Sequence, residues 1–148
     1  MSSTTPSDYA GDVSVLSAWD ALQSDAAATL VDVRTEAEWV YVGVPDLTDL
    51  GKSPALVAWD EFPSGSLVPD FSGRLVGELE RRNIGKDAPL YFICRSGNRS
   101  RKAAIAATAA GYATCFNLDH GFEGKLGPDR HRATAGSWKA EGLPWTQT

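Results

Sequence analysis

Cys94 stands between an apolar run at 89–93 and a polar stretch at 95–100 that contains two arginines. An alanine-rich segment at 103–110 follows, so the order predicts a buried strand, a tight loop and a helix. Backbone N–H groups at a helix N-terminus have no helical partner and attract anions, and the nearby arginines add positive charge. This setting favours the thiolate of Cys94, which is the nucleophilic form of cysteine.

The residues after Cys94 are of the types that would hold a negatively charged sulfur. Gly97 suits a tight curl because glycine adopts positive φ without steric cost. The curl would turn the N–H groups of the loop, including those of Ser96 and Asn98, towards the sulfur. Arg95 and Arg99 would attract an anionic donor. The hydroxyl groups of Ser96 and Ser100 would add hydrogen bonds.

Three segments together resemble the rhodanese (sulfurtransferase) family. Cys-Arg-Ser-Gly-Asn-Arg-Ser at 94–100 resembles its active-site loop, and Leu-Val-Asp-Val-Arg at 30–34 resembles its early strand and turn. Asn-Leu at 117–118 with Gly-Phe-Glu-Gly at 121–124 is similar to its late strand and the turn that follows. The resemblance implies a rhodanese-like α/β fold, with about five mainly parallel strands and helices on both faces of the sheet. It also implies a Cys94 persulfide that carries a sulfane sulfur from thiosulfate or a persulfide to a thiophilic acceptor.

Three further residues call for a structural interpretation. Asp32 and Arg34 are possible supporting site residues, but a buried pair or a turn anchor that involves Glu36 or Glu38 is the favoured interpretation. Cys115 lies inside a strand pattern, so we interpret it as a core residue.

Two alternative functions remain open. Phosphatases of the same fold use Cys-x5-Arg, whereas Cys94 and Arg99 are spaced as Cys-x4-Arg, and Ile93 stands where those enzymes commonly have His. Both differences favour a sulfur-sized site over a phosphatase or an arsenate reductase. A non-catalytic rhodanese-like interaction module is the other alternative, and the presence of the cysteine argues against it.

Composition limits the partners. The chain has 148 residues, 43% of them hydrophobic, and a net charge of -5, which argues against nucleic acid as a partner. No apolar run approaches the roughly 20 residues that span a bilayer, and the first eight residues do not resemble a secretory signal. Two cysteines do not form a disulfide framework, which favours a reducing, cytoplasmic setting. We expect a small anionic sulfur donor, an acceptor that is a thiol, cyanide or a carrier protein, no cofactor and no metal.

The chain is predicted to form a tail at 1–10 and one domain at 11–148, whose last part, 121–148, is a loop and docking segment. Strands are expected at 11–13, 29–33, 55–59, 89–93 and 113–118, alternating with helices, which indicates an α/β fold with a parallel sheet. Ser14, Thr35 or Arg34, and Asp70 are predicted to start helices, and Gly85 is predicted to end the third. The basic residues at 125–132 are a candidate patch for donor recruitment.

Overall fold

The computed structural model describes residues 8–125 and 135–147. Its helices and strands follow each other in the alternating order that the apolar runs predict. They are β1 (Gly11–Val13), α1 (Val15–Ser24), β2 (Thr29–Asp32), α2 (Glu36–Tyr41), β3 (Val44–Pro45), a 3-10 turn (Thr48–Leu50), β4 (Ala55–Leu56), α3 (Phe71–Arg81), β5 (Leu90–Ile93), α4 (Asn98–Ala109), β6 (Cys115–Leu118) and β7 (Trp145–Thr146).

Five of the strands form one parallel sheet in the order β1-β6-β5-β2-β4, so β5 lies at its centre. Ile93 pairs with Asp32 of β2, and Phe92 pairs with Asn117 of β6. The carboxyl ends of these three strands therefore meet at one edge of the sheet, directly below Cys94. The predicted α/β architecture, with about five parallel strands and helices on both faces of the sheet, is confirmed.

The side chains of the central strands alternate between two buried layers. Phe92 packs with α3 and α4 on one face, whereas Tyr91 and Ile93 pack with α1 on the other. The α4 side chains that contribute to the first layer are alanines 103, 104 and 107, all fully buried. Because these side chains are small, α4 can pack close to the sheet, and its N-terminus is held beside the end of β5.

The predicted helix starts are confirmed by cap hydrogen bonds. The side chains of Ser14, Thr35 and Asp70 each accept a backbone N–H from the first turn of α1, α2 and α3. The predicted end of α3 at Gly85 is wrong. The helix ends at Arg81 because Asn83 adopts a left-handed conformation with φ of 61°, and the next N–H turns back to the carbonyl of Leu79.

The fourth strand is shorter than the predicted run 55–59. Regular pairing covers only Ala55–Leu56, although Val57 and Trp59 still donate N–H groups to the carbonyls of Asp32 and Val33. The chain therefore stays beside β2 until it reaches the loop that carries Asp60.

The described part of the C-terminal segment packs on the body of the protein. Trp138 is fully buried and packs edge-on against Trp19, with 5.9 Å between the ring centroids. Strand β7 pairs antiparallel with β3. At the other end, the Ala10 N–H donates to the Cys115 carbonyl. Residues 1–7 of the predicted tail lie outside the described residues, as does most of the basic segment, including Arg130 and Arg132. The division into a tail and one domain stays a prediction.

Candidate active site

The sulfur of Cys94 lies in a cradle made by its own loop. Cys94 directly follows the central strand and is 1% exposed. The backbone N–H groups of Gly97 and Ser100 donate to its Sγ atom at 3.2 and 3.3 Å, and the Ser100 Oγ atom lies 3.1 Å from it. The arrangement can therefore accept negative charge on the sulfur through two fixed backbone dipoles.

The curl of the loop depends on Gly97. Its φ is 104°, which L side chains rarely adopt, and a Cβ atom there would collide with the carbonyl oxygen of Asp119. The turn after β6 supports the loop from behind. Phe122 donates its N–H to the Cys94 carbonyl at 2.8 Å, and Glu123 donates to the Arg95 carbonyl at 3.0 Å. The sulfur cradle is therefore fixed by two segments of the chain, 94–100 and 119–124.

Arg99 is engaged by two carboxylates. Its Nη1 and Nη2 atoms donate to Glu38 at 2.7 and 3.0 Å, and Nη1 also donates to Asp60 at 3.3 Å. Burial opposes ionisation of Glu38, but hydrogen bonds from Arg99 and Thr35 outweigh it and hold the pKa of this carboxyl at about 2. Burial likewise opposes the charge of Arg99, whereas the Glu38 pair raises its pKa above the ordinary value, with a further contribution from Cys94.

The predicted site residues Arg95, Ser96 and Asn98 are not among the hydrogen-bond partners of the sulfur in the described part of the chain. Arg95 and Asn98 are exposed, and Ser96 accepts a hydrogen bond through its carbonyl from Lys125 at 3.3 Å. Among the described residues no carboxylate pairs with Arg95. Of the six loop residues predicted to bind substrate, only Gly97 and Ser100 contact Sγ.

A cavity of about 440 Å³ opens beside the loop. Both loop arginines, Arg95 and Arg99, line it together with Glu38, and its other side carries the aromatic rings of Tyr41 and Phe62. These two rings are 77% and 71% exposed, so the entrance is wide and partly apolar. A ligand in this cavity would have within reach the Arg95 guanidinium group, which forms an ion pair with no carboxylate of the described residues.

Asp32 and Arg34 form a fully buried ion pair. The Nη2 atom of Arg34 lies 2.7 Å from Asp32 Oδ2 and also donates to the Gly43 carbonyl, while the guanidinium group stacks over Phe122 at 4.2 Å. The favoured interpretation of a buried pair is confirmed, whereas Glu38 forms its ion pair with Arg99. The pair ties the end of β2 to the turn that supports the sulfur loop.

Sequence reasoning missed Asn117 as a site residue. It lies on β6, is 1% exposed, and contacts the loop twice: it accepts from Ser100 Oγ at 2.5 Å and donates to the Gly97 carbonyl at 3.2 Å. The signal was an amide in a strand that is otherwise apolar, since buried polar groups nearly always have hydrogen-bond partners.

Comparison with known proteins identifies the family of this chain. The family model described as rhodanese-like domain matches residues 14–125. The crystal structure of Rv0390 from M. tuberculosis has a TM-score of 0.83 and 46% identity, covering 95% of this chain and 99% of that one. The RP600 homolog of Rickettsia rickettsii is 38% identical over 86% of this chain and 90% of its own length.

A more distant structure shares the fold alone. The polysulfide-sulfur transferase homodimer from Wolinella succinogenes has a TM-score of 0.61 at 20% identity, covering 97% of this chain and 82% of that one. The family match spans β2, β5 and β6, which carry the sulfur loop and the segments that support it. The chain therefore belongs to the rhodanese-like domain family.

Proposed function

We propose that this protein is a sulfurtransferase that carries a sulfane sulfur as a persulfide on Cys94. The observation that carries the proposal is the cradle itself, in which the N–H groups of Gly97 and Ser100 donate to Sγ. Membership of the rhodanese-like family supports it, as does the sulfur-transfer activity named for the Wolinella succinogenes neighbour, with which this chain shares the fold.

The first half-reaction begins with the thiolate of Cys94. With thiosulfate, Sγ attacks the outer sulfur, a new S–S bond forms to Cys94, and the S–S bond to the sulfite group breaks. Sulfite leaves with the electron pair of that bond, and the negative charge now rests on the terminal persulfide sulfur. Backbone N–H groups of the loop stabilise this charge without reorganising, which is the main catalytic contribution that we assign to the loop.

The second half-reaction regenerates the Cys94 thiolate. Cyanide or an acceptor thiolate attacks the terminal sulfur, the bond between the two persulfide sulfurs breaks, and the Cys94 thiolate leaves with its electron pair. Because Cys94 is only 1% exposed, a donor or acceptor must reach it with a slender, protruding atom. Thiosulfate, low-molecular-weight persulfides, cyanide and the cysteine thiol of a carrier protein all meet this condition.

We assign the two loop arginines different roles in donor binding. Arg99 has its charge largely balanced by Glu38 and Asp60, so it shapes the cavity wall. Arg95 is exposed and lines the same cavity, and it is the group that meets an incoming anion. Lys125 donates to the Ser96 carbonyl at 3.3 Å and so supports the loop.

Turnover of thiosulfate and cyanide to sulfite and thiocyanate tests the proposal. We expect Cys94→Ser to abolish turnover. Cys115→Ser is the matched control, because Cys115 is fully buried in the core and burial raises the pKa of its thiol. Full activity of Cys94→Ser would overturn the assignment. A folded parent that never yields cyanide-releasable sulfur would favour the interaction module, and efficient hydrolysis of an aryl phosphate would favour the phosphatase.

The cellular setting is part of the proposal. Cys94 and Cys115 are both free thiols, and a catalytic thiol of this kind needs a reducing compartment such as the cytoplasm. In the part of the chain that the structure describes, no helix is both long enough and apolar enough to cross a membrane.

A further inference from the structure

A chain of hydrogen bonds leads from the sulfur of Cys94 through the sheet to β1. Ser100 Oγ lies 3.1 Å from Sγ and 2.5 Å from Asn117 Oδ1. On its other side the Asn117 amide nitrogen donates to the Gly97 carbonyl at 3.2 Å and to Asp12 Oδ1 at 3.0 Å. One side-chain amide therefore contacts both residues whose N–H groups hold the sulfur.

The chemistry of these partners fixes the orientation of the amide. The Gly97 carbonyl can only accept, and it also takes the N–H of Arg101 at 3.3 Å. The Asp12 carboxylate accepts as well, from the hydroxyl of Tyr9 at 2.9 Å. Reversing the Asn117 amide would place its oxygen against both of these acceptors. The NH₂ group must face them, so the amide oxygen must face Ser100.

The orientation of Asn117 decides what Ser100 can do. A serine hydroxyl has one proton, and here that proton is held by the Asn117 oxygen at 2.5 Å. Only the lone pairs of Ser100 Oγ remain for Sγ. The hydroxyl can therefore accept from the S–H group of a Cys94 thiol, but it cannot donate to a thiolate unless it gives up Asn117.

We propose that Asn117 is a positioning residue that makes Ser100 a hydrogen-bond acceptor towards Cys94, so that this contact favours the protonated thiol and leaves the thiolate to the two backbone N–H groups. The inference rests on the proposed role of Cys94 as the reacting thiol. It adds to that role a bias towards the unreactive form, which protects the buried sulfur from alkylation and oxidation between turnovers.

The charged groups around the sulfur stay unchanged in the decisive test. They come from the loop and α4, from α2, from the segment after β4 and from β1. Among the described residues they include Arg95, Arg99, Glu38, Asp60 and Asp12, and the turn after β6 adds Asp119 and Lys125, which donates to the Ser96 carbonyl. A change at Ser100 alters none of these charges, so a shift caused by it reports the direction of the hydrogen bond.

The test is the pH dependence of Cys94 alkylation by iodoacetamide, measured in a Cys115→Ser background so that one thiol reacts. Removing the acceptor with Ser100→Ala should move the midpoint of the profile to lower pH. Freeing the hydroxyl with Asn117→Leu should also lower it, because Ser100 can then donate to the thiolate. Each shift should be about 0.5–1 pH unit, the equivalent of one hydrogen bond.

The double variant Ser100→Ala/Asn117→Leu and the charge control Asp12→Asn distinguish an effect of hydrogen-bond direction from an effect of charge. If Asn117 acts through Ser100, the double variant should have the same midpoint as Ser100→Ala alone. Asp12→Asn, which keeps an oxygen acceptor for the Asn117 amide, should leave the midpoint in place. A shift with Asp12→Asn as large as that with Asn117→Leu would assign the effect to charge and overturn the proposal.

The direction in which Ser100→Ala shifts the alkylation midpoint tests the proposal even if Asn117→Leu does not fold. A midpoint at higher pH would mean that Ser100 donates to the thiolate in the parent, and the proposal would be wrong. An unchanged midpoint in both single variants would make Asn117 a purely structural residue. Alkylation involves no sulfur transfer, so this result is independent of whether the protein proves to be a sulfurtransferase.

Discussion

The ion pair between Glu38 and Arg99 should contribute measurably to stability, and its loss should alter donor binding. The pair is bidentate, and its side chains are only 18% and 20% exposed. The pKa of Glu38 falls from 4.5 to about 2, chiefly through Arg99 and against the effect of burial. That difference corresponds to about 3 kcal/mol at most, and residual exposure reduces it, so we expect Glu38→Gln to lower the free energy of unfolding at pH 7 by about 1–3 kcal/mol.

The sign of the pH dependence follows from the direction of the shift. A carboxyl whose pKa is depressed in the folded state stabilises the protein above its unfolded-state pKa, and loses that contribution as the pH falls through the folded-state value. For Glu38 this contribution is lost as the pH falls from 4.5 to about 2. In urea unfolding at several pH values, the difference between parent and Glu38→Gln should be greatest above pH 5 and shrink towards pH 2. A difference that stays constant with pH would refute the reasoning.

The same variant should change the kinetics with an anionic donor. Without the Glu38 charge, the Arg99 guanidinium is balanced only by Asp60, so KM for thiosulfate should fall at low salt, and the effect should fade as salt rises. Glu78→Gln is the matched control, since Glu78 pairs with Arg81 and Arg82 at the end of α3 and does not contact the sulfur loop. A parent-like KM at low salt for Glu38→Gln would show that Arg99 has no influence on donor binding.

Two further substitutions and one insertion test the loop and its supports. Gly97→Ala introduces a side chain at positive φ, a strain of about 1–2 kcal/mol before any clash with the loop behind it, and should lower both the melting temperature and kcat. Asp32→Asn leaves Arg34 charged and buried without its partner, so the free energy of unfolding should fall by about 3–5 kcal/mol in chemical denaturation. One residue inserted between Cys94 and Arg99 should misplace the loop N–H groups and lower kcat for sulfur transfer by about 10²-fold, and arsenate binding should improve if loop length selects the anion.

The sequence was a good guide where the determinants are local. Apolar runs located the strands, and Ser14, Thr35 and Asp70 marked helix starts because a cap bonds to residues two or three positions away. The role of Gly97 was also predictable, since a tight curl after a strand demands positive φ. The end of α3 was missed because Asn83 and Gly85 both suit a helix end, and only packing decides between them.

The sequence was a poor guide where partners meet across the sheet. Glu38 and Arg99 are 61 positions apart, and Asn117 and Asp12 are 105 apart. Their contacts depend on the strand order and on the register at the carboxyl ends, neither of which residue types alone specify. Two arginines in one loop therefore looked equivalent, whereas the fold pairs Arg99 with carboxylates and leaves Arg95 exposed.

The central claim is that Cys94 carries the transferred sulfur, and the intact mass of the protein tests it most directly. After exposure to thiosulfate and removal of the excess, the parent and Cys115→Ser should each gain the mass of one sulfur atom, and cyanide should remove it. Cys94→Ser should gain nothing under the same conditions. A sulfur adduct that persists in Cys94→Ser and disappears in Cys115→Ser would contradict the account.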